Sequence, residues 1–376
     1  MIKLLPVVII SLILTALAES CSVTTKDKLN RQKYIKKDKF FCILLAIVLA
    51  MFVGLRTSYN DTGAYLRGYA GMNASLGMAL FNNIEWKWGK YPGFSVTNIV
   101  LKLLGVSTQG YLVILALLTI GIYVWFIRKY TENLWLSVFL FITMGCYVFT
   151  MAGQKQVIAV ALCTVGVDRA MRKKWIPFVF WILLGSTFHP YTLTFLVVPL
   201  LEFLPWTKRT YLILALFAGA LIGFQPFLES VEDISNAMGK GYSVAELSGN
   251  SVNIFRVMVT WVPVVLSYFV RDRIKEDNNN IDNTVHNLTM LNAELMGIGL
   301  LGTAIYWGRL ANYFLIYSTI SLPSIIKNYP KQTRQLLTLC AVLGYLVYFY
   351  YDNCIARPFD ADYEGISIFE YISSLY

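Results

Sequence analysis

Residues 110–127 read GYLVILALLTIGIYVWFI, eighteen positions without a charged side chain. As a helix this run covers about 27 Å at 1.5 Å per residue, close to the roughly 30 Å hydrocarbon core of a bilayer. A strand of a membrane barrel would instead alternate apolar and polar residues over about ten positions. Outward from it, further apolar runs lie near residues 3–18, 40–55, 134–150, 156–170, 175–188, 191–204, 210–224, 253–270, 287–306, 311–326 and 335–351. The sequence therefore predicts an all-α polytopic integral membrane protein of about twelve transmembrane helices, with residues 1–376 forming one membrane domain. Composition excludes a soluble globule: 57% of the 376 residues are hydrophobic and 14% charged, with a mean hydropathy of +0.56, against roughly 25% charged in soluble domains.

Residues 3–18 resemble a signal sequence only faintly. A cluster of basic residues between Lys26 and Lys39 follows them and opposes export, so they read as a retained span. Residues 93–108 (GFSVTNIVLKLLGVST) are interrupted by Thr97, Asn98 and Lys102 and read as a re-entrant or interfacial segment. With that choice, Lys26–Lys39, Arg128–Lys129, Arg169–Lys174, Lys208–Arg209, Arg271–Lys275 and Lys327–Arg334 all fall on the cytoplasmic side, as the positive-inside rule favours, and both termini lie outside. Residues 56–109 and 225–252 are then the two large extracytoplasmic loops. The net charge of +10 is accounted for by these clusters, so nucleic acid is not an expected partner. Cys21, Cys42, Cys146, Cys163, Cys340 and Cys354 form no CxxC pair and predict neither a zinc site nor a disulfide framework.

The informative charges are those that orientation leaves unexplained. Arg56, Arg67, Lys87, Lys90, Lys155, Arg256 and Arg309 all fall at the outer membrane level, together with His189, Asp61 and Glu85. Several fixed cations at one level suit a phosphate or diphosphate ligand, and Arg adds bidentate geometry. Single cations at helix ends also snorkel to headgroups, so the convergence carries the argument rather than any one residue. Asp61, Tyr65 and Tyr69 recur every four residues, a spacing that suits a sugar-binding helical face. Phe227, Leu228, Val231, Ile234 and Met238, with Glu229, Glu232 and Asp233 opposite, predict an amphipathic cap over the same face. A single outer histidine without an Asp-rich partner does not suggest a catalytic metal, and His286 is given no role.

Three stretches carry a family resemblance: GLRTSYNDTGAYLRGY at 54–69, GQKQVIAVALCTVGVDRAMRKKWIPFVFWILLGSTFHPYTLTFL at 153–196, and GRLANYFLIYSTISLPSII at 308–326. In their Gly-Leu-Arg, Phe-His and late Arg/Tyr-Phe elements, in that order, they resemble the EpsG/Wzy-type exopolysaccharide and O-antigen polymerases of bacteria. One departure is Lys155 before Gln156 where the family has Arg, which keeps the cation but loses the fork. The resemblance implies a membrane glycosyltransferase joining polyprenyl-diphosphate-linked oligosaccharide repeat units on the outer face of the plasma membrane, without a cofactor, for capsule, exopolysaccharide or O-antigen. Lys155, Arg256, Arg309 and Arg56 would neutralise the leaving diphosphate. Asp61, His189 or Glu85 would orient or deprotonate the acceptor, and Gln156, Tyr65, Tyr69 and Tyr313 would contact substrate. Its implied partners, besides the lipid bilayer and the lipid-linked substrate, are a flippase and a chain-length regulator. The rival readings are a flippase or transporter of the same lipid-linked unit, and a sugar O-acyltransferase built on His189.

Overall fold

The computed structural model describes residues 2–26, 33–237, 241, 243–247, 251–277, 279–302 and 304–363. It is helical apart from one antiparallel hairpin, Val23–Lys26 (β1) with Lys33–Lys36 (β2), where β-branched Val23, Thr24, Thr25 and Ile35 favour extended backbone. The first half comprises α1 (Leu5–Ser20), α2 (Lys39–Gly54), α3 (Thr62–Ala70), α4 (Pro92–Leu103), α5 (Thr108–Tyr130), α6 (Leu134–Thr143), α7 (Cys146–Ala152), α8 (Gln154–Met171) and α9 (Trp175–Ser186). A 3-10 helix, Pro190–Leu201, leads into the second half: α10 (Lys208–Ile222), α11 (Phe224–Ala237), α12 (Val244–Leu247), α13 (Ile254–Phe269), α14 (Arg271–Asp277), α15 (Asn280–Ile298), α16 (Arg309–Asn312), α17 (Leu315–Lys327) and α18 (Lys331–Tyr350). Side-chain caps start many of these. Asp38, Ser107, Asn133 and Asn253 each accept a hydrogen bond from a backbone N–H in the first turn that the helix cannot satisfy itself. At the centre runs α17, buried from Leu315 to Ile326, against α15, α13 and α6.

The span count differs from expectation. Among the described residues, Thr108–Tyr130 and Lys331–Ala356 are long and apolar enough to cross a membrane. Two bent pairs, Leu134–Thr143 with Cys146–Ala152 (47°) and Ile254–Phe269 with Arg271–Asp277 (76°), reach that length only if each pair is one span. Among the described residues the structure thus shows two to four crossings by length and composition, and the expected twelve are not confirmed. Apolar runs that look continuous in sequence fold as shorter helices, such as Leu5–Ser20, Lys39–Gly54 and Trp175–Ser186, of 12 to 16 residues. Those lengths cover only about 18–24 Å. Hydropathy also carries no mark of an internal break. At Gly145, between α6 and α7, the backbone takes φ +86°, a left-handed conformation that glycine adopts without steric cost. Helix α4, which overlaps the segment 93–108, has twelve residues, about 18 Å.

The basic clusters meet at one end of the bundle. Arg128 donates to the Lys37 carbonyl (Nη2, 2.7 Å), and Lys129, Arg172 and Arg169 surround the fully buried Asp168. Lys173 pairs with Glu202, Lys327 with Glu132 (2.9 Å), and Arg273 donates to the Asn328 carbonyl (2.6 Å). Helices α8, α13 and α17 therefore each have their last turn near this network. Their first turns lie at the other end of the bundle. Of the expected amphipathic cap, α11 buries Leu228 and Val231 but exposes Ile234, while Met238 and the Phe227 side chain lie outside the described residues.

Candidate active site

A cavity of about 360 Å³ occupies the end opposite the basic network. It is built from helix starts and from the turns between helices. Lys155 and Gln156 come from the first turn of α8, Arg256 from the first turn of α13, and Arg309 and Asn312 from α16. Asp61 stands at the start of α3, His189 after α9, and Arg357 after α18. Four cations, Lys155, Arg256, Arg309 and Arg357, thus share the cavity with one carboxylate, Asp61.

Each cation is held differently. Lys155 Nζ lies 4.2 Å from the centre of the Tyr91 ring and 5.5 Å from that of Phe94. Both distances are in the range of cation–π attraction. Arg256 Nη2 donates to Asn312 Oδ1 at 2.8 Å. Arg357 Nη2 reaches both oxygens of Asp352, at 2.8 and 2.9 Å. Burial alone would lower the Arg357 pKa, but the Asp352 carboxylate outweighs it and the net shift is upward. Arg309 is exposed and makes no hydrogen bond or ion pair with any described residue. The Asp61 carboxylate is likewise exposed and unbonded among the described residues, although the Asp61 backbone carbonyl accepts from Ala64 and Tyr65. Beside it, burial and the Asp61 charge push the Tyr65 hydroxyl up to about 12, so it stays a neutral donor.

His189 is engaged at both ring nitrogens. Tyr313 Oη lies 2.6 Å from Nδ1, and Gln156 Nε2 lies 3.4 Å from Nε2. The Tyr91 ring stacks on the imidazole at 5.7 Å and 24°. Tyr91 itself has φ +56°, and Asn60, also lining the cavity, has φ +49°. A left-handed bulky residue is costly and persists only where its surroundings impose it. Two residues after Tyr91, Gly93 packs tightly against the turn before His189. Its N–H donates to the Thr187 carbonyl at 3.0 Å, and a Cβ there would lie 2.1 Å from Thr187 Oγ1. Gly93→Ala should therefore push α4 away from the turn carrying His189, lowering both melting temperature and activity. Thr187→Ala in the same chain should restore part of each, a coupling that a double-mutant cycle measures.

The structure brings together Asp61, Tyr65, Lys155, Gln156, His189, Arg256 and Arg309, with Tyr313 behind His189. It places three other expected residues elsewhere. Arg56 is fully buried and spends its donors on Thr62 Oγ1 (2.9 Å), the Met151 carbonyl (3.2 Å) and the Val53 carbonyl. Burial lowers its pKa to about 10, so it remains charged and serves as a clamp between α2, α3 and α7. Arg56→Ala should leave those groups unpaired at a cost on the order of 3 kcal/mol, lowering melting temperature and membrane yield. Tyr69 donates to the Val106 carbonyl (2.9 Å) and stacks on Tyr111 at 4.3 Å. Four-residue steps turn 400°, so Tyr69 sits about 80° around α3 from Asp61 and leaves its face. Glu85 pairs with Lys90 at 3.4 Å on the surface. Residues not foreseen are Asn60, Tyr91, Asn312 and Arg357. Asn312 had a signal, lying three residues after Arg309. Arg357 had one too, as a lone cation beyond the last apolar run. Among the described residues, no three His, Cys, Asp or Glu side chains group as metal ligands.

The EpsG family model matches residues 39–373, nearly the whole chain and every residue of the cavity. The chain belongs to the EpsG family. It is an exopolysaccharide-polymerase-like membrane protein. No curated protein and no solved structure matches it significantly. Within this EpsG-family chain, the unmatched residues 1–38 hold α1 and the hairpin, neither of which lines the cavity.

Proposed function

We propose that this protein is a glycosyltransferase that joins polyprenyl-diphosphate-linked oligosaccharide repeat units into exopolysaccharide at the outer face of the bacterial plasma membrane. The observation that carries the reading is the cavity's four cations against one carboxylate, at helix ends, in an EpsG-family chain. An acceptor hydroxyl oxygen attacks the anomeric carbon of the donor glycan. The bond from that carbon to the diphosphate oxygen breaks, and its electron pair leaves with the diphosphate. The hydroxyl proton passes to Asp61 and then to water. Arg309, free of partners, and Arg256, steadied by Asn312, meet the charge that develops on the leaving group. Lys155 holds the rest of the diphosphate, and the mechanism calls for no metal ion. His189, bonded at both nitrogens, positions Gln156, Tyr313 and Tyr91 rather than taking the proton.

The test is the glycan made by a strain lacking the protein, with and without the wild-type gene restored. Single repeat units accumulating on lipid at the outer face, and polymerised when wild type returns, are expected. The same units trapped at the inner face would instead mean a flippase, and full-length polymer lacking acyl groups an acyltransferase.

A further inference from the structure

The catalytic cavity adjoins a second one of about 340 Å³, for which the reaction as written has no use. The segment after α18 forms it. A π-helical turn, Tyr351–Ala356, is followed by a strap that pairs with the start of the outer loop: Thr57 N–H donates to the Asp362 carbonyl (2.8 Å) and Asp362 N–H to the Ser58 carbonyl (3.2 Å). This return brings Asp352, Asn353 and Asp360 to the cavity wall beside Tyr59. Asn60, Phe149, Ala152, Arg256, Asn312 and Arg357 line both cavities, which meet along these residues.

The two compartments differ in charge. The first has four cations to one carboxylate, whereas the second sets Arg256 and Arg357 against Asp352 and Asp360, with Asp352 already neutralising Arg357. A diphosphate gains little from the second. A saccharide suits it: carboxylate and amide oxygens accept from hydroxyls, the Tyr59 ring offers a stacking face, and the volume falls within the roughly 300–1,000 Å³ of small-molecule pockets. Asp360 is exposed, and its carboxylate makes no hydrogen bond or ion pair among the described residues. We propose that the second cavity binds the terminal sugar of the acceptor glycan while the first holds the donor's diphosphate. This assignment rests on the polymerase reading. Asn60 lines both cavities, so its neighbour Asp61 stands where a hydroxyl from one compartment meets an anomeric carbon from the other.

The experiment titrates the full-length protein in lipid nanodiscs with two separate probes. One is the organism's own repeat-unit oligosaccharide freed of lipid, followed by saturation-transfer NMR, and the other is polyprenyl diphosphate. Asp360→Ala, a surface change whose folding is checked by melting temperature, should weaken oligosaccharide binding at least about tenfold and polyprenyl diphosphate binding less than about twofold. Arg309→Ala should do the reverse. Unchanged oligosaccharide affinity in Asp360→Ala, or its loss in Arg309→Ala, overturns the assignment. Wild type that binds only the diphosphate overturns the assignment and leaves the polymerase reading standing. Wild type that binds oligosaccharide through Asp360 but no diphosphate overturns the polymerase reading and keeps a saccharide site. Binding of neither overturns both.

Discussion

Arg309→Ala and Arg256→Ala are each expected to abolish polymer while leaving protein of normal melting temperature in the membrane. Removing a donor aimed at developing charge costs about 10²–10³ in rate, so either loss should take polymerisation below detection in cells. Arg309 is exposed and unbonded among the described residues, so its removal breaks nothing in the fold. Arg256 is bonded to Asn312, which lines the cavity and can turn to water once the guanidinium is gone. Arg309→Lys should recover part of the rate, because the charge returns without the bidentate fork. Arg56→Ala supplies the contrast, failing through stability rather than chemistry. Normal-length polymer from Arg309→Ala would remove the diphosphate role from the cavity.

The second large effect is at Asp61. Asp61→Asn should lower the turnover of lipid-linked units in proteoliposomes by about 10²–10⁴, the usual range for loss of a general base. His189→Gln should lower the rate less, because His189 is saturated by Tyr313 and Gln156 and acts on Tyr91 by packing. A larger loss of rate in His189→Gln than in Asp61→Asn would exchange the two roles.

How far these residues could be seen beforehand depended on what kind of fact each rests on. The helical membrane class was legible because hydropathy adds up along the chain, and so was the convergence of Asp61, Lys155, His189, Arg256 and Arg309. Cations without a topological reason to exist stand out even in one sequence. The number of full crossings was not legible. It depends on where helices break, as at Gly145, and an apolar run hides such breaks. Arg56 was misplaced for a related reason: sequence shows a charge at a helix end but not the carbonyls of Val53 and Met151 that consume it. Tyr91 could not be anticipated, because left-handed backbone at a tyrosine follows from tertiary contact, not local preference.

Under the proposed polymerase function, the exposed position of Asp61, Arg309, Arg357 and Asp360 bears on the size of the product. A site whose reactive groups stand at an open mouth handles only the tip of a glycan, and the remainder trails away from the protein. A strand of five sugars and one of five hundred then present the same end to the same cavity of about 360 Å³. Such a cavity takes the measure of an end, never of a length. Final chain size becomes a contest of rates, set by how many additions occur before the lipid carrier drifts off, and any partner that slows that departure would lengthen the polymer without touching the chemistry.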